Sequence, residues 1–344
     1  MTKAQDEQFQ RFKEKLTGDY TEDMATAIAF FKNNNQVNPE ELIELMASVL
    51  VEQHPEFDSV FSEVYHFMAN HDDQTFIDRM YNLLDQEAYN QAQFEMSIFM
   101  RRMENDFEKY RPKLNTSYLC IHSLIDLFQF NINNPYTMEL VIPDRNYSYF
   151  YKVYGEILTA CNERREAVEA YQQSLLWNPY DTEVIYTMAR LYHKMGQGGM
   201  FYTTVLNGLS YSIRTEDLAT GFALMGDFYR YTQEYSYAAQ LYYLSNDWSK
   251  NDYANIRLQG LEEKITLPQK FTGDQADRFL ANLNLSIYPN ADDLDKLLGL
   301  GSRFLVAQDY QTAQHYYRLY TDIVDNEDVN CRLAQIEAKL ADEA

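Results

Sequence analysis

"YKVYGEILTACNERREAVEAYQQSLLWNPYD" (151–181) decides how this chain folds. It reads as two short helices joined by a tight turn. Tyr151, Tyr154, Gly155, Leu158, Ala167, Tyr171 and Pro179 stand at offsets 0, 3, 4, 7, 16, 20 and 28 from its first residue. Gly155 and Ala167 are small, so the two helices of a hairpin can approach closely. The large residues fill the space between neighbouring hairpins, and Pro179 cannot continue the second helix.

The same offsets recur downstream. A second copy reads Ile185, Met188, Ala189, Tyr192 and Val205, with bulky Phe201 at the small position and "GQGGM" (196–200) at the turn. A third reads Phe222, Met225, Gly226, Tyr229, Ala238 and Tyr242, and a late one Leu297, Leu300, Gly301, Phe304, Ala313 and Tyr317. Between them, Ala276, Leu280, Leu283 and Pro289 suit the second helix of a divergent copy, whose first helix is "DYANIRLQGLEEKI" (252–265), before a loop at 266–273. Ala167, Phe201, Ala238, Ala276 and Ala313 are spaced by 34, 37, 38 and 37 residues. A period held that steadily is the mark of stacked helical hairpins.

These residues resemble the tetratricopeptide repeat, whose pattern runs W-x2-L-G-x2-Y, then A-x3-F, then P. The resemblance covers 147–328, about five repeats, degenerate at 181–214 and 252–290. It implies an all-α helical-hairpin solenoid, closed by a capping helix and tail at 329–344. Residues 1–140 do not match the pattern. Their periodicity predicts helices near 3–16, 22–32, 39–53, 56–70, 73–86, 88–110 and 116–131, either as divergent hairpins or as a bundle. Asn38-Pro39-Glu40-Glu41 is a helix start, with a cap, a proline at the first helical position and two acids on the positive end of the dipole.

Composition agrees with helices. Aromatic residues make up 15% of the 344, while glycine (12) and proline (8) are too scarce for a design that turns every few residues. The formal charge is −23, and both the first 146 residues (12 basic, 25 acidic) and the remainder (17 basic, 27 acidic) are acidic. That disfavours nucleic acid and anionic membrane as partners, since each needs a basic stripe. No apolar run is long enough to span a bilayer and the N-terminus lacks a leader-like core, so a cytoplasmic location is expected. Cys120, Cys161 and Cys331 are odd in number and far apart, suggesting neither a disulfide framework nor a zinc site.

No catalytic constellation emerges. Cys120 and His122 are two apart and would point to opposite sides of a helix. "GQGG" (196–199) follows a helix rather than a strand and lacks the lysine of a phosphate loop. The expectation is a protein that is not an enzyme, with no cofactor and no metal. What remains is recognition. In proteins with this repeat the first helices of successive hairpins line a groove that takes a segment of a partner. Carried over by position, the groove would hold Lys152 and Glu156, then Tyr186, Arg190, His193 and Lys194, then Ala223, Asp227, Arg230 and Tyr231. Its basic cluster fits a protein or peptide segment with acidic side chains or a free carboxylate. An adaptor is one reading. A peptide-sensing regulator similar to bacterial intracellular pheromone receptors and aspartyl-phosphate phosphatases is another, and an accessory subunit of a larger machine is a third.

The same register sorts the tyrosines of "YRYTQEYSYAAQLYY" (229–243). Tyr229, Tyr235 and Tyr242 belong to the core and Tyr231 to the groove, while Tyr237 and Tyr243 lie on the second helix.

Overall fold

The computed structural model of the chain describes residues 9–33, 49–50, 54, 73–111, 113–121, 123–134, 138–250, 252–286, 289 and 291–342. The architecture is all-α, built from helical hairpins. The early helices are α1 (Tyr20–Asn33), α2 (Asp73–Asp85), α3 (Tyr89–Glu104) and α4 (Leu124–Asn133). The repeat region holds α5 (Tyr147–Ala160), α6 (Arg164–Trp177), α7 (Thr182–Lys194), α8 (Gly198–Tyr211), α9 (Thr215–Tyr231) and α10 (Tyr235–Trp248). It continues with α11 (Asp252–Glu262), α12 (Asp274–Asn282), α13 (Ala291–Val306) and α14 (Tyr310–Thr321), and ends on α15 (Glu327–Asp342). The expected helices at 39–53 and 56–70 lie almost wholly outside the described residues.

Two expectations need correcting. The helix expected over 88–110 ends at Glu104 and tightens into a 3-10 segment, Asn105–Tyr110. The helix expected over 116–131 is in part a strand: β1 (Thr116–Tyr118) pairs in parallel with β2 (Glu139–Val141), with Ser117 opposite Leu140. The helix begins only at Leu124, where the Ser123 side chain accepts the Asp126 N–H at 3.1 Å and caps it.

The chain divides into two compact units, residues 1–120 with 139–179, and residues 121–138 with 180–344. In the first, α2 and α3 pack against α5 around Phe76, Met80, Ala92, Met96, Phe99 and Phe150. The Phe76 and Phe99 rings stack at 4.3 Å.

One turn closes the hairpins of both units. Asn162, Gly196, Gln233 and Gln308 have φ of 61°, 72°, 68° and 62°, and each stands 11 residues beyond the first framework residue of its copy. The next residue's N–H bonds back over the helix end: Glu163 to the Leu158 carbonyl (2.8 Å), Gln197 to Tyr192 (2.9 Å), Glu234 to Tyr229 (2.8 Å) and Asp309 to Phe304 (3.0 Å). This left-handed cap satisfies carbonyls that the helix end would otherwise strand. The α2–α3 hairpin repeats it at Glu87 (φ 59°), with the Ala88 N–H on the Leu83 carbonyl at 2.9 Å. Counting back, Phe76, Met80, Leu83 and Ala92 occupy offsets 0, 4, 7 and 16, and all four are buried. The α2–α3 pair is therefore built on the same frame as the later hairpins.

Close approach is realised where it was expected. A Cβ placed on Gly155 would lie 2.6 Å from the Tyr171 ring, one on Gly226 2.7 Å from Tyr242, and one on Gly301 3.2 Å from Tyr317. Hydroxyls pin the hairpins further. Ser174 and Ser245, at the same offset in two copies, donate to the carbonyls of Ser148 (2.8 Å) and Ala219 (2.7 Å).

Within the second unit successive hairpins stack, α8 on α9, α10 on α11, and α14 on α15. The capping helix α15 buries Val329 and Ile336 against Ala313, Tyr317 and Tyr320. Helix α4 packs beside them. Phe128 is fully buried with Ile213, Leu297 and Tyr316, and the Gln129 amide donates to the Tyr211 carbonyl at 2.9 Å. At its far end Asn134 donates to the Tyr180 hydroxyl (3.0 Å), while the Tyr316 hydroxyl donates to the Leu124 carbonyl (3.3 Å). A single helix thus touches residues from 180 to 316.

Candidate partner-binding surface

Helices α7, α9 and α11 supply the residues of interest. Arg190, His193 and Lys194 are spaced i, i+3 and i+4 on α7 and therefore share one face. Arg190 is exposed and makes no ion pair with any described residue, and Lys194 is exposed at the helix end. His193 is half-buried between Phe201 (ring centroids 4.8 Å) and Tyr231 (5.7 Å, edge to face). Tyr231 presents 56% of its surface.

Asp227 of α9 is the organising group. It is 2% exposed and accepts hydrogen bonds from the Tyr242 hydroxyl, at 2.7 Å, and from the Tyr253 hydroxyl. Arg230 Nε stands 3.5 Å and Arg257 Nε 3.2 Å from its Oδ1. The Arg257 guanidinium also lies over the Tyr253 ring, at 4.7 Å, and donates to that residue's hydroxyl at 3.0 Å. Two cations thus share one carboxylate. Both guanidinium Nε atoms are buried, and neither makes a hydrogen bond. Burial holds the His193 imidazole below its ordinary pKa against the opposing pull of Asp227, and the Arg230 and Arg257 charges push the same way as burial. The cluster is net positive in a chain whose formal charge is −23.

Three groove assignments are overturned. Tyr186 is 2% exposed: its ring lies against Gly208 and Gly221, and its hydroxyl is 2.8 Å from Ser212 Oγ. In this second hairpin the large ring comes from the first helix and the small residue, Gly208, from the second. Bulky Phe201 at the expected small position accompanies the exchange. Ala223 and Asp227 are likewise covered. Lys152 belongs to the first unit, where it is half-buried, and its neighbour Glu156 accepts the Tyr81 hydroxyl at 3.0 Å.

Sequence reasoning missed Arg257 and Tyr253. Both lie on the first helix of the divergent copy, where the framework positions that would fix a register are lacking. A basic residue four after a tyrosine in "DYANIR" was the signal available.

Among the described residues no group of three or more His, Cys, Asp or Glu side chains is placed to hold a metal ion, and no helix is long and apolar enough to cross a membrane. No protein-family model matches the chain, and no curated protein sequence matches it significantly.

Proposed function

We propose that the chain is a cytoplasmic, tetratricopeptide-like adaptor whose second unit captures an anionic segment of a partner protein. The observation that carries this reading is the cationic surplus around Asp227. Arg230 and Arg257 lean on one carboxylate, and Arg190 and Lys194 stand exposed on the face of the half-buried His193. A carboxylate from a partner would complete that charge balance and accept charge-assisted hydrogen bonds. Tyr231 offers an exposed ring at the edge of the cluster for an adjacent apolar side chain. The recurrent turn and the glycine–tyrosine contacts support the family reading. The three free cysteines, one of them exposed, suit a reducing compartment.

The test is a fluorescence-anisotropy titration of the full chain with a labelled acidic peptide bearing a free C-terminal carboxylate, run at about 0.15 M salt so that diffuse attraction is screened. The reading predicts saturable binding that weakens at least about tenfold in Arg190→Glu/Lys194→Glu, as expected when a charged contact is reversed. Binding that is absent, or equal in the variant, would remove the proposal.

A further inference from the structure

The first unit holds a cavity of opposite character. Helix α3 ends at Glu104 beside α5, and the 3-10 segment that follows leaves the adjoining face of α6 uncovered, with Glu166, Glu169 and Gln173 exposed on it. The open cavity there has a volume of about 580 Å³. Phe107, Tyr151 and Tyr154 form its aromatic walls, and Glu104, Glu166 and Glu169 bring three carboxylates to it. Among the described residues no basic side chain lines it. Arg101, one turn back on α3, feels the charge of Glu104.

The walls are held in place. The Tyr151 hydroxyl donates to Glu104 Oε1 at 2.9 Å, fixing ring and carboxylate together. Glu166 and Glu169 make no ion pair with any described residue, and the Tyr154 hydroxyl hydrogen-bonds none. Burial first, and then the Glu104 charge, push the Tyr151 phenol up; burial followed by the charges of Glu163 and Glu104 does the same for Tyr154. The cavity is a region of negative potential faced with aromatic rings.

We infer that this cavity binds an organic cation, either the guanidinium or ammonium of a peptide side chain or a free polyamine. Ring faces attract such cations through their quadrupole, and the carboxylates supply ion pairs. An anion would be repelled, and a neutral apolar ligand would desolvate three carboxylates without compensation. A bare metal ion is the poorer fit, because among the described residues no three carboxylates converge closely enough to coordinate one. The inference does not rest on the cationic cluster of the second unit; it concerns a different surface and the opposite charge.

The experiment is isothermal titration calorimetry of the full chain at about 0.15 M salt, where exposed charges more than a Debye length apart are screened. The probes are spermidine, a blocked Gly-Gly-Arg-Gly-Gly pentapeptide, and the same peptide with neutral citrulline for arginine. Saturable binding is expected of spermidine or the arginine peptide, with the citrulline peptide at least about tenfold weaker because it lacks the charge. The tighter of the two cations identifies the source. Glu166→Gln/Glu169→Gln should weaken binding about tenfold or more, while Glu262→Gln/Glu263→Gln, an equal charge change on exposed residues of the second unit, should leave it unaltered. Tyr154→Leu should also weaken it; if that variant fails to fold, the exposed glutamate pair decides alone. No saturable heat with either cation, equal binding of the citrulline peptide, no loss in Glu166→Gln/Glu169→Gln, or the same loss in the control pair would each overturn the inference.

Discussion

Gly226→Ala tests whether the hairpins are held by the glycine–tyrosine contacts. In a helix interior, alanine is favoured over glycine by about 1 kcal/mol, so an unobstructed substitution stabilises. At Gly226 the new Cβ would lie 2.7 Å from Tyr242 Cε1 and 2.9 Å from Cδ1. The ring cannot retreat, since it is fully buried and its hydroxyl is tied to Asp227 at 2.7 Å. Overpacking of this kind costs about 1–3 kcal/mol, which offsets or exceeds the propensity gain. Gly299, on α13, is the matched control, because nothing lies within 4 Å of its added Cβ. The propensity term cancels between the two sites. Gly299→Ala should therefore be more stable than Gly226→Ala by the overpacking cost itself, about 1–3 kcal/mol. Urea unfolding followed by far-UV circular dichroism reads both values. In a Tyr242→Leu background the penalty of Gly226→Ala should shrink. If Gly226→Ala stabilises as much as Gly299→Ala, the close approach does not govern hairpin packing.

Other outcomes follow from the same structure. Tyr242→Ala should cost about 3–5 kcal/mol as an aromatic core truncation, whereas Tyr231→Ala, at an exposed ring, should stay within about 0.5 kcal/mol and instead weaken capture of the acidic peptide. Phe128→Ala removes the fully buried ring of α4 and should also cost about 3–5 kcal/mol, seen as a lower urea midpoint with greater proteolysis of α4. His193 and His315 are both held below the ordinary value by burial. The unfolded chain then takes up protons below about pH 6.5 that the folded chain refuses, so stability should fall as pH drops from there through the lowered folded values. His193→Gln should flatten part of that slope in denaturation midpoints measured across the range.

Much of this fold was legible because the repeat frame is local. Offsets counted from Tyr151, Phe222 and Leu297 found glycines and tyrosines that meet within one hairpin, and they sorted Tyr229 and Tyr242 from Tyr231 correctly. The helices of the α2–α3 hairpin were expected, but its place on the repeat frame escaped because Met80 fills the small position and Glu87 occupies the left-handed turn residue, where glycine or asparagine would have been the cue. β1 escaped because three residues carry little pattern and its partner strand lies beyond α4. Tyr186 was misplaced because the degenerate second hairpin exchanges which helix brings the ring, an exchange visible only once Gly208 and Gly221 are seen against it. Asp227 was read as a groove residue, and its burial emerged only with the tyrosine and arginine neighbours that α10 and α11 bring to it.

The central claim, that the α7–α9–α11 face captures an anionic partner segment, is tested most directly by site-specific photo-crosslinking in the native cell. A photoreactive phenylalanine analogue would replace Tyr231 in one strain and Tyr237 in another, both exposed tyrosines of the third hairpin. A discrete adduct is expected from position 231 and none from 237, with the adduct lost when Arg190→Glu/Lys194→Glu is added. An adduct from 237 alone, or one from 231 that persists undiminished after charge reversal, would contradict the claim.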